Sequence, residues 1–369
     1  MGKNKFQNNT KCFFKRTMLL TSLLVTSATV FFGCGTTSPV RETVTAQDFR
    51  YSPTTDVLVF TELWGYVMVG REKEFSPQMP LSDVGYFWNA VNTLSEIIPP
   101  PDRSKFFADF TGRVHLVSSC ESIGQTHLLL DPKLPLRDKI IAQLINAAKS
   151  YDGLQINWEN IPAKDANNFH EFLREIKKRL GDKPLSVAVK ARVRTLKDDV
   201  FSYEKIAAIA DKLIIMAYDE HWSTSAPGPV ASNEWGKKIA DYALSQIPQE
   251  KLVMGISFYG RTWTDDKIGG RAWYNSSIER VIAENNIKIE RTGNIPHFTH
   301  NHTVKITGWY DDVDSVTIRC KMYAEQGISN LAFWRVGFEN IHFWQNITLE
   351  SILEDPKGDA EENKIEYAE

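Results

Sequence analysis

Short apolar runs recur along most of this chain, and stretches with a helical period set several of them apart. The extended runs fall at residues 57–60 running on toward 68, then at 84–89, 114–118, 154–158, 185–189, 212–217, 252–257 and 328–334. Helical patterns cover 136–149, 163–180, 203–210 and 235–246. Strands that alternate with helices predict a parallel sheet, and eight such units predict an α/β fold of the (β/α)8 TIM-barrel type. In such a barrel the active site is expected where strand C-termini meet their following loops. Between the seventh and eighth runs the interval is too long for one loop and one helix. Residues 287–292 and 304–310 within it read as extended, so a small α+β insertion at about 264–327 is expected to wall one side of the cleft.

The fourth run carries the candidate chemistry. It reads Tyr151-Asp152-Gly153-Leu154-Gln155-Ile156-Asn157-Trp158-Glu159-Asn160. Successive strand residues face opposite ways, so Leu154, Ile156 and Trp158 share one side while Gln155, Asn157 and Glu159 share the other. Two further strand ends are polar or aromatic: Met216-Ala217-Tyr218-Asp219 after the sixth run, and Trp334 at the end of the eighth. Trp64, Tyr66, Trp88, Trp222, Tyr259 and Trp263 lie near other strand ends, where aromatic faces suit sugar C–H faces or serve as ordinary core.

The fourth run resembles the Asp-Gly-x-Asp-x-Asp-x-Glu signature of glycoside hydrolase family 18, the chitinase-like enzymes. Asp152, Gly153 and Glu159 match it, and Gln155 and Asn157 stand where the family usually has aspartates. Met216-Ala217-Tyr218-Asp219 resembles the family's Met-x-Tyr-Asp element, and Trp334 its subsite tryptophan. Tyr218-Asp219-Glu220-His221-Trp222, Pro227-Gly228-Pro229, the 255–261 segment ending in Tyr259-Gly260-Arg261, and Gly308-Trp309-Tyr310-Asp311-Asp312 are similar to a branch of bacterial spore-cortex-lytic N-acetylglucosaminidases. The likeness spans residues 56–350.

The resemblance implies a substrate-assisted, retaining hydrolysis of β-1,4-linked N-acetylglucosamine glycans, with peptidoglycan favoured over chitin and no cofactor. Glu159 would be the proton donor and Asn157 would orient the acetamide. Tyr218 would donate to the acetamide carbonyl, and Asp219 would replace part of the missing charge. Asp152, Gln155, Met216, Trp222, Tyr259, Arg261 and Trp334 would bind substrate. Gln155 and Asn157 leave a second reading open, a glycan-binding protein without turnover, as well as a plain pairing of two interior amides. A third reading is an envelope lipoprotein that uses the barrel as a protein-binding scaffold.

Composition narrows the setting. The 369 residues include 42% hydrophobic and 11% aromatic residues, enough for a large core. A formal net charge of -3, without a clustered basic face, argues against nucleic acid as a partner. Lys3, Lys5, Lys11, Lys15 and Arg16 precede an apolar run at 18–32, the pattern of an export signal over residues 1–33. Gly33-Cys34 looks like a bacterial lipobox, so Cys34 is the candidate lipidation site and the membrane a partner through that anchor. A cleaved soluble form and an uncleaved signal anchor are the alternatives. Residues 34–55 read as a flexible tether, 56–353 as the barrel and 354–369 as a solvated acidic tail. Cys120 and Cys320 read as buried free thiols. His297, His300 and His302 have no standard metal-site spacing, so no metal is expected.

Overall fold

The computed structural model describes residues 57–354 apart from 89, 90, 267, 268 and 302. The expected export segment, tether, Cys34 and all but the first residue of the acidic tail lie outside the described residues, as does His302. Among the described residues eight parallel strands close into a barrel in chain order: Glu62–Met68, Asp83–Trp88, Arg113–Ser119, Gly153–Asn157, Leu185–Lys190, Lys212–Met216, Leu252–Ser257 and Asn330–Trp334. Closure is explicit in the last of them, where Leu331 stands beside both Met254 and Leu63.

Strand parity sorts the side chains into two cores. Leu154 and Ile156 of strand four, with Trp158 just after it, join Leu185, Val187 and Val189 of strand five in the large core outside the barrel. Trp158 packs on Phe172 of the helix Ala166–Leu180 with ring centroids 4.9 Å apart. The opposite parity fills the barrel interior with Trp64, Tyr66, Val117, Ile214, Val253 and Ala332, against which Phe87 and Trp334 pack. Near the strands' N-terminal ends the interior is polar: His115 Nε2 lies 2.8 Å from Asp83, and Arg113 bridges Asp83 and Glu62. Gly153 is required there, because a Cβ would stand 2.3 Å from His115 Nδ1 and 2.9 Å from the Pro184 carbonyl oxygen.

Two features depart from the pattern read along the chain. The first extended run is divided: Leu58–Phe60 pairs in parallel with Ile347–Leu349 outside the barrel, and strand one begins only at Glu62. After strands one and two the described connections carry single 3-10 turns, Glu72–Glu74 and Arg103–Lys105, in place of helices. Pro77 and Pro80 in one connection, and Pro99 to Pro101 in the other, remove the amide donors a helix needs.

Between strands seven and eight lies a five-stranded antiparallel sheet in the order Arg271–Tyr274, Tyr259–Thr264, Lys305–Trp309, Ile295–Asn301 and Glu290–Thr292. The helix Asn275–Glu284 closes over it around Ile278, Ile282, Phe298 and Tyr310. The sheet starts at Tyr259, so its first strand leaves the barrel almost directly. A buried ion pair fastens the return: Arg319 donates to Asp311 at 2.8 and 2.9 Å, and Ser257 of strand seven donates to the same carboxylate. Asp311-Asp312 thereby does structural work, with Asp312 capping the helix Val313–Glu325.

Candidate functional site

At the C-terminal end of the barrel, the inner parity brings together Asn157, Lys190, Met216 and Trp334, with Glu159 and Tyr218 just past their strands. Glu159 is partly buried. Burial pushes its carboxyl pKa upward; the Lys190 cation works against that rise, and Glu121 and Asp219 add to it. A carboxyl raised in this way holds its proton further toward neutral pH, the state a general acid needs.

Below Glu159 the floor is made of amides. Asn157 is 7% exposed and Gln155 is fully buried. Asn157 Oδ1 and both polar atoms of the Gln155 side chain have no hydrogen-bond partner among the described residues. The two amides therefore do not pair with each other. The Tyr66 hydroxyl sits beside Gln155 without a well-aligned hydrogen bond, and burial raises its pKa. Each buried unpaired polar atom costs about 1–3 kcal/mol. Three of them in adjacent layers of one strand are a cost that packing alone does not explain, and a ligand that donates to Asn157 Oδ1 would relieve part of it.

Tyr218 and Asp219 follow strand six. The Tyr218 phenol is held well above its ordinary pKa, chiefly by burial, so it remains a hydrogen-bond donor. Gly255 of strand seven leaves room for it, since a Cβ there would stand 3.2 Å from the Tyr218 ring and 2.6 Å from the Ile215 carbonyl oxygen. Asp219 takes a positive φ of 61° and is gripped from the inserted sheet. Tyr259 Oη and Arg261 Nη2 each donate to Asp219 Oδ1 at 2.7 Å. The Tyr259 ring also packs edge-on against Tyr218, 6.1 Å between centroids. The insertion thus holds the loop after strand six in place.

Trp334 ends strand eight, its ring 5.4 Å from Tyr66 and 5.0 Å from Phe87. Its peptide bond to Arg335 is cis, and Arg335 pairs with Glu74. Met216, half-buried, stands in register with Lys190. Trp222 is 52% exposed on the rim, with Nε1 donating to Thr224.

Several expected site residues lie elsewhere. Asp152 precedes strand four at its N-terminal end, where it accepts from Arg103 at 2.5 Å and from the Val114 amide at 2.8 Å. Five strand residues, about 16 Å of chain, separate it from Glu159's end, so it anchors the fold and does not reach the cleft. Trp64 packs on His115 deep in the barrel, Trp88 belongs to the outer core and Trp263 is buried in the insertion. His297 stacks on Trp309 and bonds to Thr292. Lys190 was not singled out from the sequence. Its signal was a cation closing an apolar strand at the parity of Ser186 and Ala188.

Residues 133–339 match the family model described as glycosyl hydrolases family 18. The chain belongs to this family. Its similar relatives include an uncharacterized glycosylase YvbX of Bacillus subtilis, 29% identical over 225 residues that make up 56% of this chain and 63% of that protein. A cortical fragment-lytic enzyme of Bacillus anthracis is 26% identical over 238 residues, 60% of this chain and 55% of that protein. The chain thus spans less than two thirds of the length of these curated relatives. In fold, the family 18 barrel is similar to the Bacillus cereus spore cortex-lytic enzyme SleL, with a TM-score of 0.70, 21% identity, and coverage of 81% of this chain and 77% of that one. A chitinase from Chromobacterium violaceum gives a TM-score of 0.64 at 22% identity, over 77% of this chain and 96% of that one. At such identities the structural likeness carries the fold alone.

Proposed function

We propose that this family 18 chain is a glycosidase that cleaves β-1,4-linked N-acetylglucosamine glycans, with peptidoglycan favoured over chitin. The observation that carries the reading is Glu159, its carboxyl pushed toward the protonated form, standing over unpaired buried amide atoms and beside the Tyr218 hydroxyl. The names of the relatives, glycosylase and cortical fragment-lytic enzyme, support a wall glycan.

In the proposed mechanism the sugar sits over Trp334 and its own acetamide oxygen attacks the anomeric carbon. Glu159 gives its proton to the glycosidic oxygen, then takes one from the water that opens the oxazolinium, with net retention of configuration. Tyr218 donates to the acetamide carbonyl, and Asn157 Oδ1 accepts from the acetamide N–H. Asn157 brings no charge to the cationic intermediate. A neutral hydrogen bond in place of a charge-assisted one costs about 1–2 kcal/mol, a slowing of about ten- to thirtyfold.

A second reading has a specific support. Gln155 and Asn157 put amides where a signature of this kind has carboxylates, which suits a glycan-binding protein without turnover. Reducing-end release from purified peptidoglycan and from N-acetylglucosamine oligomers separates the two. Release that disappears in Glu159→Gln supports the hydrolase; no release, with tight oligomer binding in calorimetry, moves the chain to the binding class. The N-terminal charge and apolar pattern supports placing the protein in the cell envelope, lipid-anchored through Cys34. Mass spectrometry of the N-terminal fragment from the membrane fraction tests that placement, and an unlipidated Cys34 rejects it.

A further inference from the structure

Lys190 has no role in the mechanism above, yet its charge acts on Glu159, opposing the rise in that carboxyl's pKa. It ends strand five, between strands four and six, in register with Met216. Its neighbours Leu185, Val187 and Val189 occupy the outer core, so by parity its side chain leaves on the barrel's inner side. Nζ lies 5.8 Å from the centroid of the Phe201 ring, and Lys190 forms no ion pair with any described residue.

The nearby carboxylates do not balance it. Asp219 is held by Tyr259 and Arg261, and Asp199 by Arg192. Glu121 is exposed. Strand four contributes amides at 155 and 157. That leaves Glu159, which must be protonated when the reaction starts and is then neutral. An ammonium within electrostatic reach of an acid that is neutral when the reaction starts, and paired with no carboxylate among the described residues, is an unbalanced positive charge at the edge of the cleft.

We propose that Lys190 is a specificity-determining residue that binds a carboxylate carried by the sugar next to the scissile bond, so that the site prefers an acidic N-acetylhexosamine chain to a neutral one. This inference rests on the glycosidase reading of the same site. A lactyl ether on the neighbouring hexosamine, present in peptide-free peptidoglycan strands, supplies such a carboxylate, and chitin supplies none. An ammonium–carboxylate hydrogen bond is about twice as strong as a neutral one, enough for about a tenfold preference in a half-open cleft.

The test is titration calorimetry on the full chain carrying Glu159→Gln, which stops turnover and keeps the site neutral at that position. The ligands are a peptide-free tetrasaccharide of alternating N-acetylglucosamine and N-acetylmuramic acid, the same tetrasaccharide with its lactyl carboxyls amidated, and tetra-N-acetylchitotetraose. The expected result is about tenfold tighter binding of the acidic form over the amidated one. That ratio should fall to near one with Lys190→Met and return with Lys190→Arg. Equal affinity for the acidic and amidated forms overturns the inference while leaving the glycosidase reading intact, and so does a ratio that Lys190→Met leaves unchanged. Binding of none of the three saccharides overturns the glycan reading itself, and the inference with it. A peptide-bearing tetrasaccharide that outbinds the peptide-free one assigns the carboxylate to the stem peptide and overturns the lactyl assignment.

Discussion

Asn157→Asp is the most informative single change to this site, because it restores one charge without altering size. Residues two apart on an extended chain are about 7 Å apart. Two unit charges at about 7 Å repel by roughly 2.4 kcal/mol at an effective dielectric of about 20, somewhat under two pH units for the weaker acid. The open side of the cleft screens this, so a rise of about one unit in the Glu159 pKa is expected, on top of the upward shift burial already imposes. Glu159 must be protonated to act as the acid, and activity is lost as pH rises through its pKa. The alkaline limb of the kcat/KM profile should therefore move up by about one unit. The new carboxylate should also stabilise the oxazolinium, raising kcat by about ten- to thirtyfold. Because position 157 is buried, the same change should lower stability by about 1–3 kcal/mol, visible as a lower thermal midpoint. The assay is a pH series of initial reducing-end release on one oligosaccharide, with thermal unfolding alongside. A stationary alkaline limb with kcat unchanged or lower would refute the assignment of Asn157 as the site's missing charge.

Gly153→Ala should cost about 1–3 kcal/mol in chemical denaturation, since its methyl would meet the His115 ring that Asp83 and Trp64 hold in place; a loss under about 0.5 kcal/mol rejects that packing argument. Arg319→Met should cost about 3–5 kcal/mol by stranding the buried Asp311 carboxylate, and Asp311→Asn added to it should recover part of the loss; no recovery would mean that the charge is not the cause. Tyr259→Phe with Arg261→Met should lower kcat by about tenfold with little change in thermal midpoint, because the pair releases Asp219 from its strained position; an unchanged kcat shows that the grip is dispensable.

The barrel was readable along the chain because each strand that is buried on its outer face repeats an apolar residue at every second position. Leu154, Ile156 and Trp158, then Leu185, Val187 and Val189, announce themselves in this way. Parity alone also placed Gln155, Asn157 and Glu159 on one side. It did not separate the two ends of a strand by their roles, which is why Asp152, joined in sequence to the same motif, was grouped with a site that lies about 16 Å of chain away. Aromatic identity was equally silent on direction: Trp88 and Trp334 both end strands, but Trp88 faces the outer core and Trp334 the cleft.

By itself, then, the order of residues determined the strands, their inward and outward faces, and the family to which the chain belongs, since these depend on local period and on short contiguous motifs. Only the tertiary structure decided which charges meet. Lys190 and Glu159 are 31 positions apart, and Arg261 and Asp219 are 42 apart. Closing the barrel and folding the inserted sheet back over strand six bring them within electrostatic reach. No local pattern encodes that reach, because the interaction depends on distance through the folded molecule and not on spacing along the chain.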